Sequence, residues 1–188
     1  MLEGRVVDLR AVERDDVDFR VECRNSVEFW GEYANIVQQL SRSEWLKRFD
    51  NPSNLDILTE KKGFIIQKKD GTRIGVINHW INQPSRMMEI SYAIIPTERR
   101  KGYGTEAVQL IVDYLFMSRD LVRIEAITNV RNKPSQRVLE KAGFRNEGTI
   151  RRSYFIRGEW RDHYLYSILR EEWKEPKVLT KTACSKDW

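Results

Sequence analysis

Apolar positions along the chain recur with two different periods, and the changes between them mark out the elements. Arg5–Arg10 alternates as a short strand, and Glu13–Cys23 reads as a helix opened by Asp15 or Asp16. Gly63–Gln67 and Arg73–Ile81 are β-rich runs separated by Lys69-Asp70-Gly71, whose Asp-Gly pair is a strong hairpin signal. A second hairpin is expected around Asn82-Gln83-Pro84-Ser85, returning through Met88–Ile95 until Pro96 stops the strand. From Gly104 the spacing becomes helical: Ala107, Leu110, Ile111, Tyr114 and Leu115 share one face, which must pack on a sheet. Leu121–Thr128 is the next β-rich run, parallel to its predecessor through a right-handed crossover. Arg157–Leu169 closes a late hairpin with Trp160, Tyr164, Tyr166 and Ile168 on one face. Periodicity is lost after Trp173, so one domain is expected over residues 1–173, with 174–188 as an appendage.

The junction Ile94-Ile95-Pro96-Thr97-Glu98-Arg99-Arg100-Lys101-Gly102-Tyr103-Gly104-Thr105 joins strand to helix through a basic, glycine-containing turn. Gly102 and Gly104 let successive N–H groups converge on an anion at the positive end of the helix, and a pyrophosphate suits that cradle. A Walker loop is excluded because Gly104 is followed by Thr105 without the lysine. A dinucleotide fingerprint is excluded less firmly: no acidic strand end follows downstream, but Ala107 in its third glycine position is a tolerated variant. From the turn alone, an ordinary basic loop capping a helix stays open.

Composition narrows the field. The 188 residues, 40% hydrophobic and 11% aromatic, suffice for one core. No apolar run approaches the roughly 18 residues of a membrane span, and Met1–Arg5 lacks a signal peptide's apolar centre, so a cytoplasmic location is expected. Two cysteines, Cys23 and Cys184, and two histidines, His79 and His163, make neither a disulfide framework nor a metal site. The net charge of +5 does not argue for nucleic acid, because 28 acidic residues are interspersed among 33 basic ones.

A second block, Asn129-Val130-Arg131-Asn132-Lys133-Pro134-Ser135-Gln136-Arg137-Val138-Leu139-Glu140-Lys141-Ala142-Gly143-Phe144, changes the weighting. Together the blocks resemble the GNAT acetyltransferases. Arg99-Arg100-Lys101-Gly102-Tyr103-Gly104 matches that family's Gln/Arg-x-x-Gly-x-Gly/Ala turn, and the second block is similar to its Asn-x-x-Ser, helix, Gly-Phe element. Glu147-Gly148-Thr149-Ile150-Arg151 resembles a segment of the RimJ/RimL-type protein N-acetyltransferases and their polyamine-acetylating relatives. The resemblance covers roughly residues 5 to 173 and is most specific in the second half. It implies an α+β fold with a mixed, mostly antiparallel twisted sheet flanked by helices, and acetyl-CoA held where a bulge splays two strands. Ile94 and Ile95 would give main-chain contacts to the pantetheine arm, and Arg99, Arg100, Lys101, Gly102, Tyr103, Gly104 and Thr105 would hold the pyrophosphate, at Arg99 through the N–H more than the side chain. Asn132 would contact the arm while capping the next helix, and Asn129 would order the loop.

The implied reaction is direct attack of an amine on the acetyl thioester, which needs a base for the ammonium proton and an acid for the thiolate. The tyrosine that many family members use as the acid is replaced by Leu139, and Ser135 occupies the position used in RimL-like members. Ser135 also reads as a first-turn helix residue bonding to local backbone. Glu89 is the expected base, or a surface partner of Arg86; Tyr154 is a second acid or an acceptor wall, and His163 reads as structural. Phe29, Trp30, Tyr33, Trp45 and Phe49 suit either an acceptor wall or the core. The acceptor implied is a protein N-terminal α-amine, with a polyamine or other small amine as the alternative. Glu28, Glu32, Asp50 and Asp56 could attract either. A non-catalytic acyl-CoA-binding module is the alternative of another class, and residues 174–188 could pack on a second copy in a homodimer.

Overall fold

A computed structural model describes residues 1–33, 39–50, 62–81 and 87–179. In chain order it shows β1 (Leu2–Glu3), β2 (Val7–Ala11), α1 (Val17–Asn25), α2 (Val27–Trp30), α3 (Arg42–Asp50), β3 (Lys62–Lys68), β4 (Arg73–Ile81) and β5 (Met87–Ile94). There follow α4 (Tyr103–Ser118), β6 (Arg123–Asn129), α5 (Lys133–Ala142), β7 (Arg145–Ile156) and β8 (Glu159–Leu169). The strands form one sheet in the order β1-β2-β3-β4-β5-β6-β8-β7, antiparallel throughout except for β5 against β6. The single expected first helix is instead a 3-10 turn, Arg14–Asp16, leading into α1. Asp16 explains the tight start: it is buried, bonded to Arg10 at 2.7 Å and accepts from Glu13 N–H. The Asn51–Asn54 loop and the Asn82–Ser85 turn lie outside the described residues.

The period-2 pattern sorts side chains onto two faces. On one, Ile66, Ile77, Met88, Ile90 and Ile124 pack under α4 and α5, which contribute Ala107, Leu110, Ile111, Leu115 and Leu139. On the other, Ile65 and Val76 pack with Cys23 of α1 and Phe29 of α2. Burial pushes the Cys23 thiol up to about 12, so at neutral pH it is a packing group rather than a nucleophile.

Beyond Trp173 the chain returns to α4. The buried carboxylate of Asp113 accepts the Trp173 indole N–H at 2.8 Å and the main-chain N–H groups of Lys177, Val178 and Leu179 at 2.9, 2.9 and 3.1 Å. Lys177 Nζ reaches Ala142 O at the C-terminal end of α5, and Val178 and Leu179 join the core. Among the described residues no helix is long and apolar enough to cross a membrane.

Candidate active site

β5 and β6 pair over only Met87↔Arg123, Met88↔Ile124 and Glu89↔Glu125, then separate. The resemblance implied a bulge as the cause, but β5 holds unbroken register with β4 from Met88↔Ile81 to Ile94↔Gly75. β6 holds equally unbroken register with β8 from Arg123↔Leu169 to Asn129↔His163. Each strand follows its antiparallel partner, and the accumulated sheet twist pulls the parallel pair apart. The slit between them opens a cleft of about 400 Å³ whose walls include Glu89 to Ala93 of β5, Ala126 to Asn129 of β6, and Asn132 and Ser135 of α5. Ile94 and Ile95 lie beyond this lining, with Ile94 O accepting from Arg99 Nε (2.9 Å) and Ile95 N–H donating to Ile74 O (2.9 Å).

At the end of β5 the turn reverses through two left-handed residues, Arg100 at φ 64° and Gly102 at φ 86°. The N–H groups of Arg100, Lys101, Gly102, Tyr103 and Gly104 meet no acceptor among the described residues, as an anion cradle at a helix N-terminus requires. Two of the expected contributors differ. Arg99 N–H donates to Pro96 O at 3.3 Å and Thr105 N–H to Gly102 O at 3.0 Å, because both lie inside tight local turns. Lys101 pairs with Glu98 at 3.0 Å.

The two glycines serve different ends. A Cβ on Gly102 would meet nothing within 4 Å, but its φ is left-handed; a Cβ on Gly104 would stand 3.7 and 3.8 Å from Ile94 and Val138, ordinary contact. Gly102→Ala is therefore expected to strain the turn by about 1–2 kcal/mol and to weaken acetyl-CoA binding in calorimetry. Gly104→Ala should stabilise the fold by up to about 1 kcal/mol of helix propensity, read as a raised melting temperature. A melting temperature unchanged or lowered in Gly104→Ala would mean that the helix start is not formed as described.

Asn132 caps α5 by accepting from Ser135 N–H at 3.2 Å, and Asn129 Oδ1 accepts from Arg131 N–H at 2.9 Å, ordering the loop. Ser135 Oγ lies 3.0 Å from the hydroxyl of Tyr92, which also donates to Ser135 O at 3.2 Å. Burial pushes the Tyr92 phenol well above its ordinary range, with the Ser135 bond partly opposing the shift. Tyr92 carries no sequence signal beyond strand parity: it alternates with Ile90 and Ile94 and so reads as packing. A phenol thus enters the cleft from β5, and Leu139, which also lines it, offers only an apolar surface.

Glu89 has the opposite parity and lines the cleft from the α1/α2 side. Tyr154 of β7 is close enough for the charge on Glu89, after burial, to hold its hydroxyl above the ordinary range. The Tyr154 ring meets His163 edge-on at 4.7 Å. His163 is buried, its Nδ1 is 2.9 Å from Ser153 Oγ and 3.2 Å from Arg161 O, and desolvation lowers its pKa, keeping the ring neutral. Phe29, Trp30 and Tyr33 line the cleft, whereas Trp45 lies under the Arg20 guanidinium at 5.0 Å and Phe49 is partly exposed. Of the acids expected to attract a cation, Asp50 pairs with Arg14, Glu32 holds the Tyr33 hydroxyl, and Asp56 lies outside the described residues. Arg86, the alternative partner of Glu89, is likewise outside them.

The family profile described as acetyltransferase (GNAT) domain matches residues 7–145. The uncharacterized N-acetyltransferase YnaD of Bacillus subtilis is 37% identical over 138 residues, 73% of this chain and 80% of that protein. The putative ribosomal N-acetyltransferase YdaF of the same organism is 30% identical over 76% and 86% of the two chains. Spermidine N(1)-acetyltransferase of Escherichia coli is 25% identical over 92% and 91%. The structure of Mycobacterium smegmatis RimJ in complex with CoA-disulfide superposes with a TM-score of 0.78 at 26% identity, covering 92% of this chain and 88% of that one. With its splayed strands, its anion-ready turn and these relatives, the chain belongs to the GNAT acetyltransferase family and is an acetyl-CoA-dependent N-acetyltransferase.

Proposed function

We propose that the acceptor is the α-amine at the N-terminus of a protein, attacked directly on the acetyl thioester. The observation that carries this reading is the charge of the cleft: among its described lining residues Glu89 is the one carboxylate, set among Trp30, Tyr33 and Tyr154. One carboxylate matches one ammonium. A polyamine would bring further ammonium groups against an aromatic wall where the next described carboxylate, Glu32, is already engaged by the Tyr33 hydroxyl, at a desolvation cost. The similarity to YdaF, a putative ribosomal N-acetyltransferase, supports the same acceptor class.

Glu89 takes the ammonium proton from one side of the slit, and Ser135, hydrogen-bonded to Tyr92, supplies a proton to the departing thiolate from the other. The free N–H groups from Arg100 to Gly104 would receive the pyrophosphate, and the unpaired edges of β5 and β6 the pantetheine amides.

A polyamine acceptor is the second reading, favoured by the similarity to spermidine N(1)-acetyltransferase along nearly all of both chains. CoA release should be followed with short free-α-amine peptides, the same peptides N-terminally blocked but carrying lysine, spermidine and spermine. The free peptides should exceed the polyamines in kcat/KM by about tenfold or more. Equal or higher turnover of spermidine would replace the proposed acceptor.

A further inference from the structure

Helix α2 spans four residues, too few to persist alone, yet it carries Phe29 and Trp30 into the acceptor wall. Ser26 Oγ closes its first turn, accepting from Phe29 N–H at 3.1 Å. Its carbonyl end is held from elsewhere. Arg99, in the turn before α4, donates from Nη2 to Phe29 O at 2.6 Å and to Glu28 O at 3.3 Å, and from Nε to Ile94 O at 2.9 Å. Arg157, at the tip of the β7–β8 hairpin, donates to Gly31 O at 2.8 Å. Cations at the carbonyl end of a helix satisfy its unpaired acceptors and its dipole together.

We propose that Arg99 is a positioning residue for the acceptor: its guanidinium fixes α2 to the anion-binding turn, so the acceptor wall is set by the loop that receives the pyrophosphate. Its place in the turn motif gives the pyrophosphate its N–H more than its side chain, and leaves the guanidinium without an assigned partner. The fork points away, with two of its three nitrogens committed to carbonyls of α2 and β5. Ordering the turn with cofactor orders α2, and acceptor binding must strengthen cofactor binding by the same factor. The kinetic half of this inference rests on the acetyl-transfer reading above.

Arg99→Lys and Arg99→Met separate the roles, since lysine keeps the charge but not the planar fork. In both variants acetyl-CoA should bind within about threefold of the parent by calorimetry, while KM for a short alanine-rich peptide with a free α-amine rises about tenfold or more. Lysine should not rescue. Hydrogen exchange across residues 27–33 should quicken in both variants while α4 keeps its protection, and acetyl-CoA should slow that exchange in the parent but not in Arg99→Met. Acetyl-CoA affinity lost in Arg99→Met and restored in Arg99→Lys, with peptide KM unchanged, would return the side chain to the phosphate and overturn the proposal. Unaltered exchange of α2 would overturn it too. Faster exchange of α2, in a protein that acetylates no amine offered, would retain the brace and defeat the acceptor assignment instead.

Discussion

Ser135→Ala is expected to lower kcat about 100-fold, the lower end of what a positioned general acid contributes, while acetyl-CoA affinity stays within about threefold of the parent. The fold should survive, because Tyr92 retains the main-chain carbonyl of residue 135 as an acceptor. Tyr92→Phe divides the two hydroxyls. If Ser135 delivers the proton and Tyr92 only orients it, the phenylalanine variant should keep about a tenth of the parent's kcat; if the phenol is the source, it should fall as far as Ser135→Ala. Stopped assays of CoA release across pH check the assignment. A Ser135→Ala enzyme with unchanged kcat and a lowered melting temperature would reduce the serine to a helix-start residue.

The second large effect concerns stability. Asp113→Ala removes the acceptor of four N–H groups: the Trp173 indole and the backbone of Lys177, Val178 and Leu179. Buried donors left without partners cost about 1–3 kcal/mol each. The tail can undock to rehydrate them, which caps the loss at the energy of its docking. A destabilisation of about 3 kcal/mol is expected in urea denaturation, or about 6–12 °C in melting temperature for a chain of this size. Cleavage in the tail by a protease should accompany it. A loss below about 1 kcal/mol would mean that Val178 and Leu179 hold the segment without the carboxylate.

The glycine turn was legible in the sequence as a reversal because Gly102 and Gly104 stand between a strand end and a helix start. The central strands were legible because a half-buried sheet alternates. Tyr92 was not, since a hydroxyl at a core-parity position looks like packing until α5 is laid against it. The role of the Arg99 side chain was not legible because its partners, Glu28 and Phe29, lie 71 and 70 residues away. Asp113 sits between Val112 and Tyr114 on a helix read for its apolar face, and the segment it grips is held through main-chain N–H groups that leave no periodic mark. The strand separation was anticipated with the wrong cause: register is a pairwise property, and only the pairings show that β5 and β6 each follow another strand.

That early parting of β5 from β6 after three residue pairs leaves the sheet with a seam that no strand among the described residues closes. Backbone groups along a seam are stabilised by whatever strand-like molecule fills it, and a ligand present at about 100 times its dissociation constant adds about 2.7 kcal/mol to folding. If acetyl-CoA fills the seam as proposed above, the working stability of this protein would depend partly on the supply of that cosubstrate. On the proposed site, loss of the ligand would remove that contribution from the centre of the sheet rather than from its edges.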